Sequence, residues 1–131
     1  MKLVINASWG GFSLSEEALY KLYEKRGIKI YKIRDAILDA YTTVPYEEYK
    51  KIHAADEANG DYTLTNEVFI NDRNVKRDDL DLIAVVEELG TEKASGEYAE
   101  LEVLEIPDGI EYEIHEYDGL ESIHECHRSW P

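Results

Sequence analysis

The chain has 131 residues, 44% of them hydrophobic and 33% charged, and 29 acids against 14 bases leave a net charge of −15. That length suits one domain with a modest core, and the charge weighs against nonspecific binding to DNA, RNA or an anionic membrane, because like charges repel. The single cysteine, Cys126, excludes an internal disulfide and fits a reducing compartment, and no apolar run reaches the roughly 20 residues that a membrane-spanning helix needs.

"KLVIN" (Lys2–Asn6) reads as a short, mostly buried strand; "MKLVINAS" is too short for a signal peptide, so a cytosolic protein is expected. "SLSEEALYKLYEKRG" follows as a helix. Ser13 and Glu16 have capping-box spacing, which places Ser13 at the N-cap and Phe12 just before it. Leu14, Ala18, Leu19 and Leu22 form the apolar stripe, and Gly27 stands where a helix C′ residue is wanted. "IKIYKI" (Ile28–Ile33) alternates like a strand, with Ile33 out of phase. "RDAILDAYTT" is ambiguous. "PYEEYKKIHAADEANG" reads as a second helix, opened by Pro45 and closed near Gly60, with Tyr46, Tyr49, Ile52 and His53 on one side. "DYTLTNEVFINDRN" reads as a connection with one short strand at Glu67–Ile70. "RDDLDLIAVVEELG" is the third helix, capped by Asp78 or Asp79 and ended by Gly90.

The last third has the strongest β character. "YAELEVLEI", "IEYEIHEY" and "LESIHECH" read as three strands, separated by a Pro107–Gly109 turn and by Asp118–Gly119, a strong hairpin signal. The expectation is an α+β fold: a single domain over 1–131, with an antiparallel sheet built from this C-terminal meander and the N-terminal strand, covered by about three helices. Residues 34–76 read as a variable, insertion-like segment.

Three constellations could carry chemistry. From Ala94 to His127 there are eleven Asp or Glu and no Lys or Arg. Glu111, Glu113 and His115 share one strand face, with same-face carboxylates about 6.6 Å apart. Such a face is commonly a solvated exterior that keeps sheet edges from pairing; its sharper reading is a mimic of nucleic-acid phosphates, with Glu111, Glu113, Glu116 and Glu121 as partner-binding candidates. In "HECHRSWP", His124, Cys126 and His127 invite a zinc reading, but paired metal-ligand spacing is absent, and no metal site is expected. Arg128, beside His127 and Trp130, is either one half of an ion pair or an anion-binding fork with an indole that can stack. In the opening loop, Asn6, Trp9, Gly10 and Gly11 precede a helix N-terminus, where backbone N–H groups can meet a phosphate. Neither G-x-G-x-x-G nor the P-loop pattern is present, and Glu16 and Glu17 would repel a phosphate. No G-x-S-x-G elbow surrounds any serine, and no catalytic residue is assigned.

Two stretches carry a resemblance. "VINASWGGFSLSEEA" is similar to the opening of a group of small proteins from tailed phages and prophages, which begin V-I-N, a short variable stretch, then G-G-F-x-L-S. "RDDLDLIAVVEELG" and "ASGEYAELEVLEIPDGIEYEIHEYDGLESIHECHRSW" resemble that group's second half, with a helix ending E-L-G, V-x-E-I-P-D-D, E-Y-D-G and a terminal H-R-T/S-W. Gly109 stands where the pattern has a second Asp. The resemblance covers both ends and leaves residues 34–76 outside it, and the group is largely of uncharacterised function.

The resemblance implies a phage accessory protein acting in the host cytoplasm, more consistent with a binding protein than an enzyme. It would neutralise a bacterial defence component, either as an acidic inhibitor of a host defence protein or by sequestering a nucleotide immune signal. Arg77, His127, Arg128, Trp130 and Trp9 are the candidate donors and stackers for a nucleotide. The alternatives are a small hydrolytic or nucleotide-modifying enzyme using the Gly-rich loop with His127 and Arg128, and a regulatory or structural protein that binds another phage protein. No cofactor, no direct nucleic-acid binding and no membrane association are expected; a homo-oligomer is compatible with the sequence.

Overall fold

The first helix shows how local chemistry sets an element's edge. Helix α1 spans Glu16–Lys25, and its cap is Ser15, whose Oγ accepts the Ala18 N–H at 3.1 Å. Ser13 is therefore not the cap. Counting from Ser15, Leu14 and Leu19 occupy the two positions of a hydrophobic staple, and both are buried. At the other end Ile28 N–H donates to the Tyr23 carbonyl and Gly27 N–H to that of Glu24, the bond pair of a Schellman stop.

The computed structural model describes residues 1–34 and 39–126. The chain forms an α+β fold of two compact units, one made of Met1–Leu22 with the chain from Asp72 onward, the other of Tyr23–Asn71. Residues 35–38 of "RDAILDAYTT" and the His127, Arg128 and Trp130 candidates lie outside the described residues.

In the first unit, β1 (Lys2–Asn6) pairs antiparallel with β4 (Leu101–Glu105) in the register Val4 opposite Val103. Helix α4 (Leu80–Ala94) packs over this ladder and β6 (Leu120–Glu125) lies beside β1. Covered in this way, β1 is buried from Leu3 to Asn6, which is why it reads as a continuous apolar run rather than an alternating one. The same unit also buries Leu101, Leu82, Ile83, Val85 and Val86, with Ala18, Leu19 and Leu22 from α1. Asp79 caps α4 by accepting the Leu82 N–H at 3.0 Å. Gly90, with φ 81°, interrupts α4 where the sequence places its end, and a last turn continues to Ala94.

The C-terminal strands do not form one meander among the described residues. β5 (Tyr112–Tyr117) pairs with β6, while β4 pairs with β1. The β1–β4 ladder continues through the Ile106 N–H, which donates to the Met1 carbonyl. Pro107, which has no N–H, then begins a connection too long for a tight hairpin, so β5 finds its partner across the Asp118–Gly119 turn instead.

In the second unit, β2 (Tyr31–Arg34) pairs with β3 (Asp39–Thr42), and α2 (Tyr46–Asn59) packs on α3 (Thr63–Val68). The strand expected at Glu67–Ile70 is half helix: Glu67 and Val68 close α3, and Phe69 makes one bridge, to Thr42. The cause is Asp56 of α2. It is buried, and its Oδ2 accepts both the N–H and the hydroxyl of Thr65 at 2.7 Å. That carboxylate satisfies donors in the first turn of α3, which have no partner within the helix.

Candidate functional site at the opening loop and the hairpin tip

Asn6 ends β1 with its side chain completely buried. A primary amide offers two N–H donors and a carbonyl that can accept twice, and this one uses all of them. Nδ2 donates to the carbonyls of Ser8 and Gly119, each at 2.8 Å. Oδ1 accepts from the N–H of Glu100 at 2.9 Å and of Ser8 at 3.3 Å. One side chain therefore ties together β1, the opening loop, the start of β4 and the tip of the β5–β6 hairpin.

The tip is a two-residue turn between the paired Tyr117 and Leu120. Asp118 has φ 51° and Gly119 φ 89°, the double positive φ of a type I′ turn. Gly119 is required for a second reason: a Cβ there would lie 2.3 Å from the Gly11 nitrogen and 2.5 Å from the Trp9 carbonyl oxygen. A Cβ on Gly10 would come within 2.2 Å of Tyr98 Cβ and of its carbonyl oxygen. Gly10 and Gly119 thus let three backbone segments touch, which is a packing role and leaves no phosphate cradle at Gly10.

An ion pair lies beside this junction. Arg77 Nε donates to Glu121 Oε1 at 3.1 Å and Nη2 to Oε2 at 2.8 Å. Arg77 Nη1 donates to the carbonyls of Arg73 and Val75, and the guanidinium carbon sits 3.6 Å from the centre of the Phe12 ring. Glu121 Oε1 also accepts the Asn6 N–H at 3.0 Å. The two side chains are only 13% and 8% exposed, so the charges are held in a nearly dry setting by the hydrogen bonds that make such burial tolerable. Arg77, a candidate nucleotide donor, is committed to Glu121 and Phe12. Glu121, a candidate for the partner-facing surface, is turned inward.

The remaining acidic candidates do face solvent. Glu111, Glu113 and Glu116 are exposed, with Glu116 Oε1 accepting the Gly119 N–H at 3.1 Å. On the face of β5 that carries Glu113, the rings of His115 and His124 stack with centroids 4.1 Å apart, and Glu113 Oε2 lies 3.1 Å from His115 Nε2. The hydrogen bond from His115, then that from the Cys126 thiol, holds the Glu113 carboxyl below its ordinary range. Burial first, and the negative charge of Glu113 next, push the Cys126 thiol up. A raised thiol pKa makes Cys126 a poor nucleophile and a poor metal ligand near neutral pH. Among the described residues no group of three or more His, Cys, Asp or Glu is placed to hold a metal. His127, Arg128 and Trp130 lie outside those residues.

What the junction presents to solvent is aromatic. Trp9 and Tyr117 meet edge to face with centroids 5.8 Å apart, and Tyr98 stands against Gly10. These rings are 59%, 74% and 69% exposed, respectively. Beside Tyr98 opens a cleft of about 490 Å³, lined by Thr91, Ser95 and the acids Glu92, Glu97 and Glu100, with no Lys or Arg in its wall. Sequence reasoning singled out Trp9 but missed Tyr98, Tyr117 and the cleft acids. A large aromatic inside the turn-rich "ASGEYAE" stretch was the available signal for Tyr98. No family model, no curated protein and no solved structure matches the chain.

Proposed function

We propose that this is a non-enzymatic accessory protein of a tailed phage that binds a bacterial host defence protein and blocks it, acting in the host cytoplasm. The resemblance at both ends of the chain supplies the phage context. The observation that carries the binding reading is the exposed Trp9–Tyr98–Tyr117 face, set on a junction whose polar groups are already satisfied. Rigid aromatic groups left in water are the side chains most often used as anchors at protein interfaces. A nucleotide sponge draws less support, because Arg77 is engaged by Glu121. An enzyme built on the Gly-rich loop draws less again, because Gly10 is packed against Tyr98 and the Gly11 backbone against Gly119.

The test uses a phage from which the gene has been deleted, complemented with the wild-type gene or with the Trp9→Ala/Tyr98→Ala variant, and plated on a host whose defence the wild type overcomes. Wild-type protein is expected to restore plating and to retain a host defence protein in near-stoichiometric amount; the variant, folded by circular dichroism, is expected to lose both. Equal plating by the variant would refute the reading. So would a rise in melting temperature with an ADP-ribose-type nucleotide and no protein captured, since that is the mass-action signature of a small-molecule ligand.

A further inference from the structure

We infer that the Trp9–Tyr98–Tyr117 face, together with the carboxylate-lined cleft beside Tyr98, docks an arginine-bearing basic segment of the partner protein. This rests on the protein-binding reading and adds the partner's chemistry. Tyr98 joins the two halves of the surface: it packs on the loop that carries Trp9, and its chain neighbours Glu97 and Ala99 line the cleft.

Charge selects the occupant. Glu92, Glu97 and Glu100 line the cleft without a basic residue, and residues 94–126 contribute eleven acids and no Lys or Arg. Of the basic side chains at this junction, Arg77 is sealed by Glu121, and Arg73 reaches to 3.8 Å from where a Cβ on Gly11 would lie. A nucleotide would bring phosphates against these carboxylates. A second copy would bring −15 against −15. A cationic segment meets attraction from both halves. An aromatic face attracts a cation through its quadrupole, and carboxylates accept the paired N–H bonds of a guanidinium. Arginine alone can lie flat on a ring while its edge bonds to acids; lysine, a compact point charge, cannot do both in the same way.

The test is an NMR titration of the whole chain at physiological ionic strength with a short Gly/Ser peptide carrying several arginines. Its lysine twin and ADP-ribose serve as the comparison probes. Shifts are expected to be confined to the Trp9 indole, the Gly96–Glu100 amides and the Tyr117–Gly119 tip, with the arginine peptide binding several-fold more tightly than its twin. Glu97→Gln/Glu100→Gln should weaken binding about tenfold, as loss of charge-assisted bonds does. Glu105→Gln/Glu111→Gln, which removes the same charge elsewhere, should weaken it less than about twofold. Shifts spread over all the acidic surface, or equal losses from the two charge variants, would overturn the assignment and leave only long-range attraction. ADP-ribose shifting the same resonances, or self-association abolished by Trp9→Ala, would overturn it as well. Capture of the host protein that survives both Tyr98→Ala and Glu97→Gln/Glu100→Gln would overturn this docking surface while leaving the protein-binding reading intact. Failure of wild-type protein to capture any host protein would remove both.

Discussion

Replacing Asn6 by Ala should be among the most damaging changes to the first unit. It deletes three short hydrogen bonds, at 2.8, 2.8 and 2.9 Å, and one longer bond at 3.3 Å. At about 1 kcal/mol net for each short bond, the loss is about 3 kcal/mol. The Gly119 carbonyl belongs to a buried residue, and orphaning it adds about 1 kcal/mol. A total of about 3–4 kcal/mol is a large part of the roughly 5–15 kcal/mol that holds a typical domain folded. Asn6→Asp sharpens the test. It keeps the volume and the acceptors but removes both donors, and it sets a carboxylate beside Glu121 and two carbonyls. Burial raises the pKa of the introduced carboxyl above its unfolded value. Its penalty is therefore full at neutral pH and lifts as pH falls through that raised value, where the acid can donate one bond. Urea unfolding of wild type and both variants, followed through the Trp9 indole and Gly119 amide resonances, measures each loss from the midpoint and slope. A loss under about 1 kcal/mol for Asn6→Ala, or an Asn6→Asp variant indifferent to mild acid, would refute the reasoning.

The two glycines at the junction should respond differently. Gly119→Ala forces a Cβ into backbone at 2.3 Å and should cost several kcal/mol, whereas Gly11→Ala, whose nearest neighbour is the Arg73 side chain at 3.8 Å, meets only the positive-φ penalty of about 1–2 kcal/mol; thermal melts of the pair decide this. Ser15→Ala should destabilise by about 1 kcal/mol through loss of the α1 cap, and Ser13→Ala by clearly less, as chemical denaturation can resolve. Glu113, whose folded pKa is lowered chiefly by the His115 hydrogen bond, contributes stability that is complete above the unfolded carboxylate range and lost as pH falls through the lowered folded value. Melting temperature should therefore fall more steeply below about pH 4 for wild type than for Glu113→Gln.

Signals confined to a few neighbouring residues carried well from sequence to structure. The apolar "LVI" run made β1, Pro45 and Gly60 bounded α2, Asp79 capped α4, and Asp-Gly made the hairpin tip. Each depends on chemistry within about one turn of the chain. The same local reasoning chose Ser13 over Ser15, because two serines two residues apart offer equivalent hydroxyls. What chose between them is the staple that Leu14 and Leu19 complete when both are buried. The "EVFI" stretch (Glu67–Ile70) read as a strand because its β-branched and aromatic residues favour one. Helix won its first half because Asp56, nine residues before Thr65, brings a carboxylate to the helix start.

The sequence by itself determined the α+β class, most element positions and the acidic character of the last third. Pairing and site were decided by tertiary structure. Asn6 reaches Gly119 across 113 residues and Glu121 meets Arg77 across 44. No periodicity records such distances, because a hydrogen bond between remote segments leaves no trace in the spacing of either. Gly10, which in sequence suggested room for a ligand, is a glycine because Tyr98 already fills that room, and Gly11 because its φ is positive.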